Sequence, residues 1–256
     1  MITEKTKAII AMDYQVLLCD HDKINELANK YNLRVIHDAA HSFGSKYKGK
    51  MIGSFSDICM FSFDPVKTIT CLDGGALIVN SKEQANKIRS MRLIGMDQSL
   101  KVMYQNKRAS KYDVQNLGFR YHMSNMHGAI GCAQLSKMDK IAKSRIKSCI
   151  RYSNGLKNID GITIPDTDWI DIVPLLYYVR VKNRKREELI KFLAKRGIDA
   201  GVHWPPGHWF SLFKNCKKGD LSVCDQVGHE VLSLPTHSMM ENKTVDKVIS
   251  EILNFF

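Results

Sequence analysis

Four short runs within the first 80 residues are apolar almost from end to end: KAIIAM (Lys7–Met12), LRVI (Leu33–Ile36), DICMFSF (Asp57–Phe63) and GALIVN (Gly75–Asn80). A strand with one face in water alternates in hydropathy, whereas a strand covered on both faces does not. Helix-like segments lie between these runs. Asp20 stands as an N-cap before Ile24, Leu27, Ala28 and Tyr31, the spacing of one helical face. Ser81 with Gln84 makes a capping box before Ala85, Ile88 and Met91. Strands of this kind alternating with helices predict an α/β chain built on a mostly parallel sheet with flanking helices.

After Arg92 the pattern changes. Gln98–Asn116 is polar and irregular and reads as a long loop. A long helical segment runs from Ser124 to about Leu156 through Ile130, Leu135, Met138, Ile141 and Ile150. Leu175–Val181 reads as a strand. Arg184–Arg196 reads as a helix, with Gly197 where a C-terminal cap belongs. Val245, Val248, Ile249, Ile252 and Phe256 define a final amphipathic helix. The expected organisation is a large part over 1–125, then a long helix and a smaller α+β domain over 126–256.

Composition narrows the function. A chain of 256 residues with 44% hydrophobic content can bury a sizeable core. No apolar run approaches a bilayer span, so membrane insertion is not expected. The start, MITEKTKAIIAMDYQ, lacks a signal-peptide layout, which predicts a cytoplasmic location. The seven cysteines are scattered singly, and the nine histidines lack ligand spacing. Reduced, mostly buried thiols and no metal are expected. The formal charge of +12 is spread along the whole chain. It fits a solvated basic surface first and a small anionic ligand second. No aromatic-interleaved basic module points to nucleic acid.

One lysine stands out. In MFSFDPVKTITCLDGGA, Lys67 sits between two strongly β-forming segments. Two readings stand: an exposed turn residue after Pro65, or an amine held in a pocket. Ligands of α/β sheets bind beyond the carboxyl ends of strands. Asp38, in HDAAH, ends one strand there, and Ser62 and Lys67 end another. A desolvated lysine is a better nucleophile because burial disfavours its charged form. A lysine opposed by an aspartate is the pair that pyridoxal 5'-phosphate needs, one for a Schiff base and one for the pyridine nitrogen. Asp38 also reads as a helix N-cap, His41 as a packed or capping residue, and Ser62 as a strand-end structural hydroxyl.

The run VIHDAAHSFGSKYKGKMIGSFSDICMFSFDPVKTITCLDGGALIVNS resembles the DegT/DnrJ/EryC1/StrS family of pyridoxal-phosphate-dependent sugar-nucleotide aminotransferases. The elements D-A-A-[HQ], G-[ST]-F-x-D, F-S-F-x-P-x-K and a Gly-Gly strand entry occur in order. The likeness continues through GFRYHMSNMHGAIGCAQL, GVHWPPGHWF and LSLPTHSMM. It implies the fold-type-I architecture, with residues 1–125 as part of the large cofactor-binding domain. It implies that Lys67 is the covalent anchor and proton shuttle, that Asp38 pairs with the pyridine nitrogen, and that His41 stands near the phenolic oxygen. Ser62 would bind the cofactor phosphate. Lysine where dehydrating relatives carry histidine implies amino transfer. L-glutamate would be the donor and a nucleotide-diphosphate keto-deoxysugar the acceptor, in a homodimer making an amino sugar for a surface polysaccharide.

Three departures from the pattern stand out. Members of the family carry a further N-terminal segment, with a phosphate-binding turn and a cofactor-stacking aromatic ring. A catalytically silent fragment that needs a complementary chain is therefore the alternative expectation. Gln15 and Val16 stand where many members have glycines. Arg120 and His122 replace the Asn and Arg of the commoner N-Y-R-M version, so Arg120 either contacts a phosphate of the neighbouring subunit as a charged fork or faces solvent. HWPPGHWF either lines the sugar-nucleotide pocket or packs between domains with Trp204 and Trp209 as core.

Overall fold

The computed structural model describes residues 2–96 and 112–256. Four strands form the first sheet, in the order β1-β2-β5-β6: β1 (Ala8–Met12), β2 (Arg34–Asp38), β5 (Ile58–Ser62) and β6 (Gly75–Val79). The first three are parallel, and β6 joins β5 antiparallel. A two-stranded ribbon of β3 (Lys46–Tyr47) and β4 (Lys50–Met51) lies between β2 and β5 in sequence. Each apolar run singled out above supplies one sheet strand, with ends shifted by one or two residues. Burial of Ala39, Ile52, Cys59 and Phe61 forms the local core. That burial holds the carboxyl ends of β2 and β5 side by side.

The helix α1 (His21–Tyr31) begins where expected, because Asp20 accepts from Lys23 N at 3.2 Å. In α2 (Lys82–Met91), Ser81 Oγ accepts from Gln84 N at 3.3 Å. The return arm of the expected box is not made: Gln84 Oε1 is buried without a partner among the described residues. The expected loop Gln98–Asn116 lies largely outside the described residues; within its described end, Val114 bridges Met96.

The expected single helix from Ser124 to Leu156 is two helices, α3 (Asn125–Leu135) and α4 (Met138–Leu156). The break falls at Ser136–Lys137. The Ser136 hydroxyl donates to the Ala133 carbonyl and Lys137 N to the Gln134 carbonyl, so the last turn of α3 closes on itself. Further on, β7 (Ile162–Thr163), β8 (Tyr177–Val181) and β9 (Val231–Leu234) form an antiparallel sheet. The helix α5 (Arg186–Ala194) starts two residues later than expected, after Asn183 and Arg184 turn with φ near +60°. Gly197 takes the left-handed conformation, φ +70°, that closes the helix. Next come α6 (Ser222–Glu230) and α7 (Asn242–Phe255).

The largest core packs α4, α5 and α7 on this second sheet through Leu156, Tyr177, Val179, Leu189, Leu193, Leu232, Val248 and Ile252. A smaller cluster of Val16, Ile172, Tyr178 and Val231 ties the segment after β1 to the later sheet. The cysteines are free, but only Cys59, Cys71 and Cys149 are buried; Cys132, Cys216 and Cys224 are exposed. The expectation of mostly buried thiols is thus corrected. Cys132 lies on α3, Cys216 in the polar segment before α6, and Cys224 on the first turn of α6 itself. Among the described residues, no helix is long and apolar enough to cross a membrane.

Candidate active site

Two parallel strands end side by side at β2 and β5, and their continuations carry the four residues Asp38, His41, Ser62 and Lys67. Lys67 lies on the loop from β5 to β6. Asp64 closes that loop from both sides, since its carbonyl accepts from Lys67 N at 3.0 Å and its Oδ1 from Val66 N at 3.0 Å. The neighbours Thr68 and Ile69 are buried, and Phe63 O accepts from both Cys71 N and the Thr70 hydroxyl. This pins the backbone while the Lys67 side chain stays half-buried. Burial depresses the pKa of its amine, opposed by the Asp64 and Asp38 carboxylates. Lys67 thus lies in a turn but is half-buried rather than exposed.

Asp38 is half-buried at the last position of β2, paired with Met60 of β5. Its Oδ1 accepts from Ala40 N at 3.1 Å in a local turn, and no helix follows it. Its other oxygen makes no hydrogen bond among the described residues. His41 is 3% exposed, and its Nδ1 accepts from the backbone N–H of Gln15 at 3.3 Å. A neutral imidazole with Nδ1 as acceptor carries its proton on Nε2 and so offers one N–H donor. Burial, with the Lys67 charge next in weight, lowers the His41 pKa to about 4 despite an opposing pull from Asp13. His41 is thus neutral at physiological pH and lies within electrostatic reach of Lys67.

Ser62 is half-buried, and its hydroxyl accepts from Asp64 N at 3.4 Å. Arg120 is the member set apart. It is exposed, its backbone bridges Leu93, and no hydrogen bond or ion pair joins it to Lys67, Asp38 or His41.

Residues beyond those four complete the site. Trp204 stacks on His41, ring centroids 5.1 Å apart at 24°. The carbonyl before it, His203 O, accepts from the Tyr14 hydroxyl and from Gln15 Nε2 at 2.7 Å. Trp204 and Trp209 are 45% and 39% exposed, so neither serves as core. Gln15 has φ +55°, the left-handed conformation in which glycine is free of strain. Two buried polar atoms beside this group, Gln15 Oε1 and His203 Nδ1, have no hydrogen-bond partner among the described residues. The signals available for Asp13, Tyr14 and Gln15 were their place just after β1, at the same sheet end as Asp38.

The donor set fits pyridoxal 5'-phosphate: a desolvated amine, a carboxylate with a free oxygen, a neutral imidazole N–H and a strand-end hydroxyl. Buried polar atoms call for a hydrogen-bond partner, and a bound ligand or water would supply one to Gln15 Oε1 and His203 Nδ1.

The sequence profile of the DegT/DnrJ/EryC1/StrS aminotransferase family matches residues 1–253. A UDP-4-amino-4,6-dideoxy-N-acetyl-beta-L-altrosamine transaminase of Campylobacter jejuni is 35% identical over 243 residues, covering 92% of this chain and 62% of that protein. GDP-perosamine synthase of Caulobacter vibrioides is 33% identical over 257 residues, covering 98% and 67%. The solved Helicobacter pylori aminotransferase PseC, involved in the biosynthesis of pseudoaminic acid, superposes with a TM-score of 0.91 at 25% identity. It covers 100% of this chain and 68% of PseC. The chain spans about two thirds of the length of these relatives.

Proposed function

The chain belongs to the DegT/DnrJ/EryC1/StrS aminotransferase family, whose members are pyridoxal-phosphate-dependent sugar aminotransferases, and on that premise we propose that it transfers an amino group from L-glutamate to a keto group on a nucleotide-linked deoxysugar. The reading places the product in amino-sugar synthesis for a surface polysaccharide. The observation that carries it is the meeting of Lys67, Asp38 and His41 at one sheet end, with Lys67 and His41 both tuned toward their neutral forms. In this reading residues 1–125 hold the cofactor, and residues 126–256 form the long helical segment and small domain.

When bound, pyridoxal phosphate supplies an aldehyde carbon that links to an amine and a ring that accepts electrons. Lys67 would hold it covalently. Once released from that link, the Lys67 amine would serve as the base that takes a proton at Nζ and returns it. A depressed pKa suits it to both tasks. Asp38 would accept a hydrogen bond from the ring N–H through Oδ2, since Oδ1 is committed to Ala40 N. His41 would donate its Nε2–H to the phenolic oxygen without adding charge. The Ser62 hydroxyl would donate to the phosphate. Trp204 would shield His41 from water on its stacked side. The exposed Arg120 fits a phosphate contact made across a homodimer, as a charged fork.

The test supplies the purified chain with cofactor, L-glutamate and a UDP- or GDP-linked 4-keto-6-deoxysugar, and follows 2-oxoglutarate. Sugar-dependent 2-oxoglutarate that disappears in Lys67→Ala supports the reading. A well-folded, cofactor-loaded protein that forms none contradicts it. A second reading follows from β1, an edge strand of its sheet whose Ile10 and Met12 side chains share one face and are 67% and 42% exposed. Such an edge suits a covering chain, and activity would then need that partner.

A further inference from the structure

Asp13 follows β1 directly and is 1% exposed. A buried carboxylate is costly unless its acceptor positions are filled. Here four donors fill them. Oδ1 accepts from Cys19 N at 2.9 Å and His21 Nε2 at 3.1 Å, which anchors it to the start of α1. Oδ2 accepts from His37 Nε2 at 2.7 Å and the Ser42 hydroxyl at 2.6 Å. His37 immediately precedes Asp38, and Ser42 immediately follows His41. The Asp13 backbone N–H donates to the Asp38 carbonyl at 3.1 Å. Two residues on, Gln15 N–H fixes the His41 tautomer. His37 in turn meets the Ser56 hydroxyl at 3.0 Å through Nδ1, tying the group toward β5.

Asp13, His21 and His37 also form a group able to ligate a cation. Each imidazole, however, meets a different carboxylate oxygen, and both oxygens are already doubly engaged. That is the pattern of a hydrogen-bond hub.

Resting on the cofactor reading above, we propose that Asp13 is a positioning residue: it clamps the 38–42 segment from both ends and so holds the Asp38 carboxylate and the His41 imidazole in place. The bonds reach beyond simple burial of a charge, because three of them end on the backbone or side chains flanking Asp38 and His41. With both oxygens engaged and 1% exposure, Asp13 would act through these bonds rather than by contact with substrate or cofactor.

Asp13→Asn keeps the shape but turns an NH₂ group toward one pair of donors. Two readouts are measured on the full chain: the Kd for pyridoxal phosphate, and amide hydrogen exchange at Ala39 and Ser42 without cofactor. Asp13→Asn is expected to raise the Kd at least about tenfold and to speed exchange at both amides by a similar factor. Ser42→Ala, which removes one donor only, is expected to move both in the same direction by less. Leu189→Ala, in the distant core, lowers Tm but leaves the Kd within about twofold. Wild-type exchange at 39 and 42 in folded Asp13→Asn and Ser42→Ala overturns the proposal, as does a Kd change no larger than that of Leu189→Ala. Failure of the wild-type chain to bind pyridoxal phosphate would instead sink the cofactor reading, while exchange still decides the clamp.

Discussion

Lys67 and His41 sit at one end of the sheet, and burial pushes both toward their uncharged forms. The His41 shift has a measurable consequence. Its pKa is about 4 folded and about 6.5 unfolded, so between those values only the unfolded chain binds the proton. Stability is therefore full above about pH 6.5 and falls as pH drops toward 4, by at most ~1.4 kcal/mol per pH unit. Urea midpoints across this range should show that loss in wild type and a shallower one in His41→Gln; equal slopes would contradict a buried neutral imidazole. Asp13 acts lower on the pH scale. Burial opposes its ionisation, but the bonds from His21, His37, Ser42 and Cys19 N outweigh burial and hold it far below the usual carboxylate range. Its contribution is intact above about pH 4 and is lost in stronger acid. Asp38, Ser62 and Lys67 stood out in the sequence at or just after strand ends, and His41 only through the resemblance to the family motif. Asp13 did not, since its role depends on the register that sets Met12 against Asp38. Gln15 was visible only as a departure from glycine.

At the scale of elements, the β5–β6 pair carries Lys67, so its geometry bears on the site directly. Gly74 has φ +140°, while Gly75 is glycine for a different reason: an added Cβ would lie 2.7 Å from Phe61 O on the partner strand. Gly75→Ala should destabilise the chain by about 1–3 kcal/mol and weaken cofactor retention with it. Ile252→Ala in α7 should cost about 2–5 kcal/mol in urea unfolding yet leave cofactor binding intact, because its core lies under the other sheet. The four sheet strands were readable from unbroken apolar runs, and α1, α2 and α7 from caps and period. The break between α3 and α4 was not, for Ser136 and Lys137 carry no glycine or proline. The short β7 and β9 fall below the length at which period is informative.

At the scale of the whole molecule, the site draws on both halves of the chain. The Val16, Ile172, Tyr178 and Val231 cluster brings the later sheet against the residues after β1, and Tyr14 and Gln15 hold His203 so that Trp204 covers His41. The sequence showed HWPPGHWF as a segment of interest but left its place open, because only this long-range packing decides it. The proposed homodimer predicts a sedimentation-equilibrium mass of about twice the 29.2 kDa chain, and a mass of one chain at micromolar concentration would count against it. The central claim is that the Lys67 amine is the group that takes pyridoxal phosphate. Borohydride reduction of the loaded chain, followed by peptide mass spectrometry, tests it most directly. One phosphopyridoxyl adduct is expected on Lys67, with none at that peptide in Lys67→Ala. Adducts scattered over other lysines, or a loaded chain with Lys67 unmodified, would contradict it.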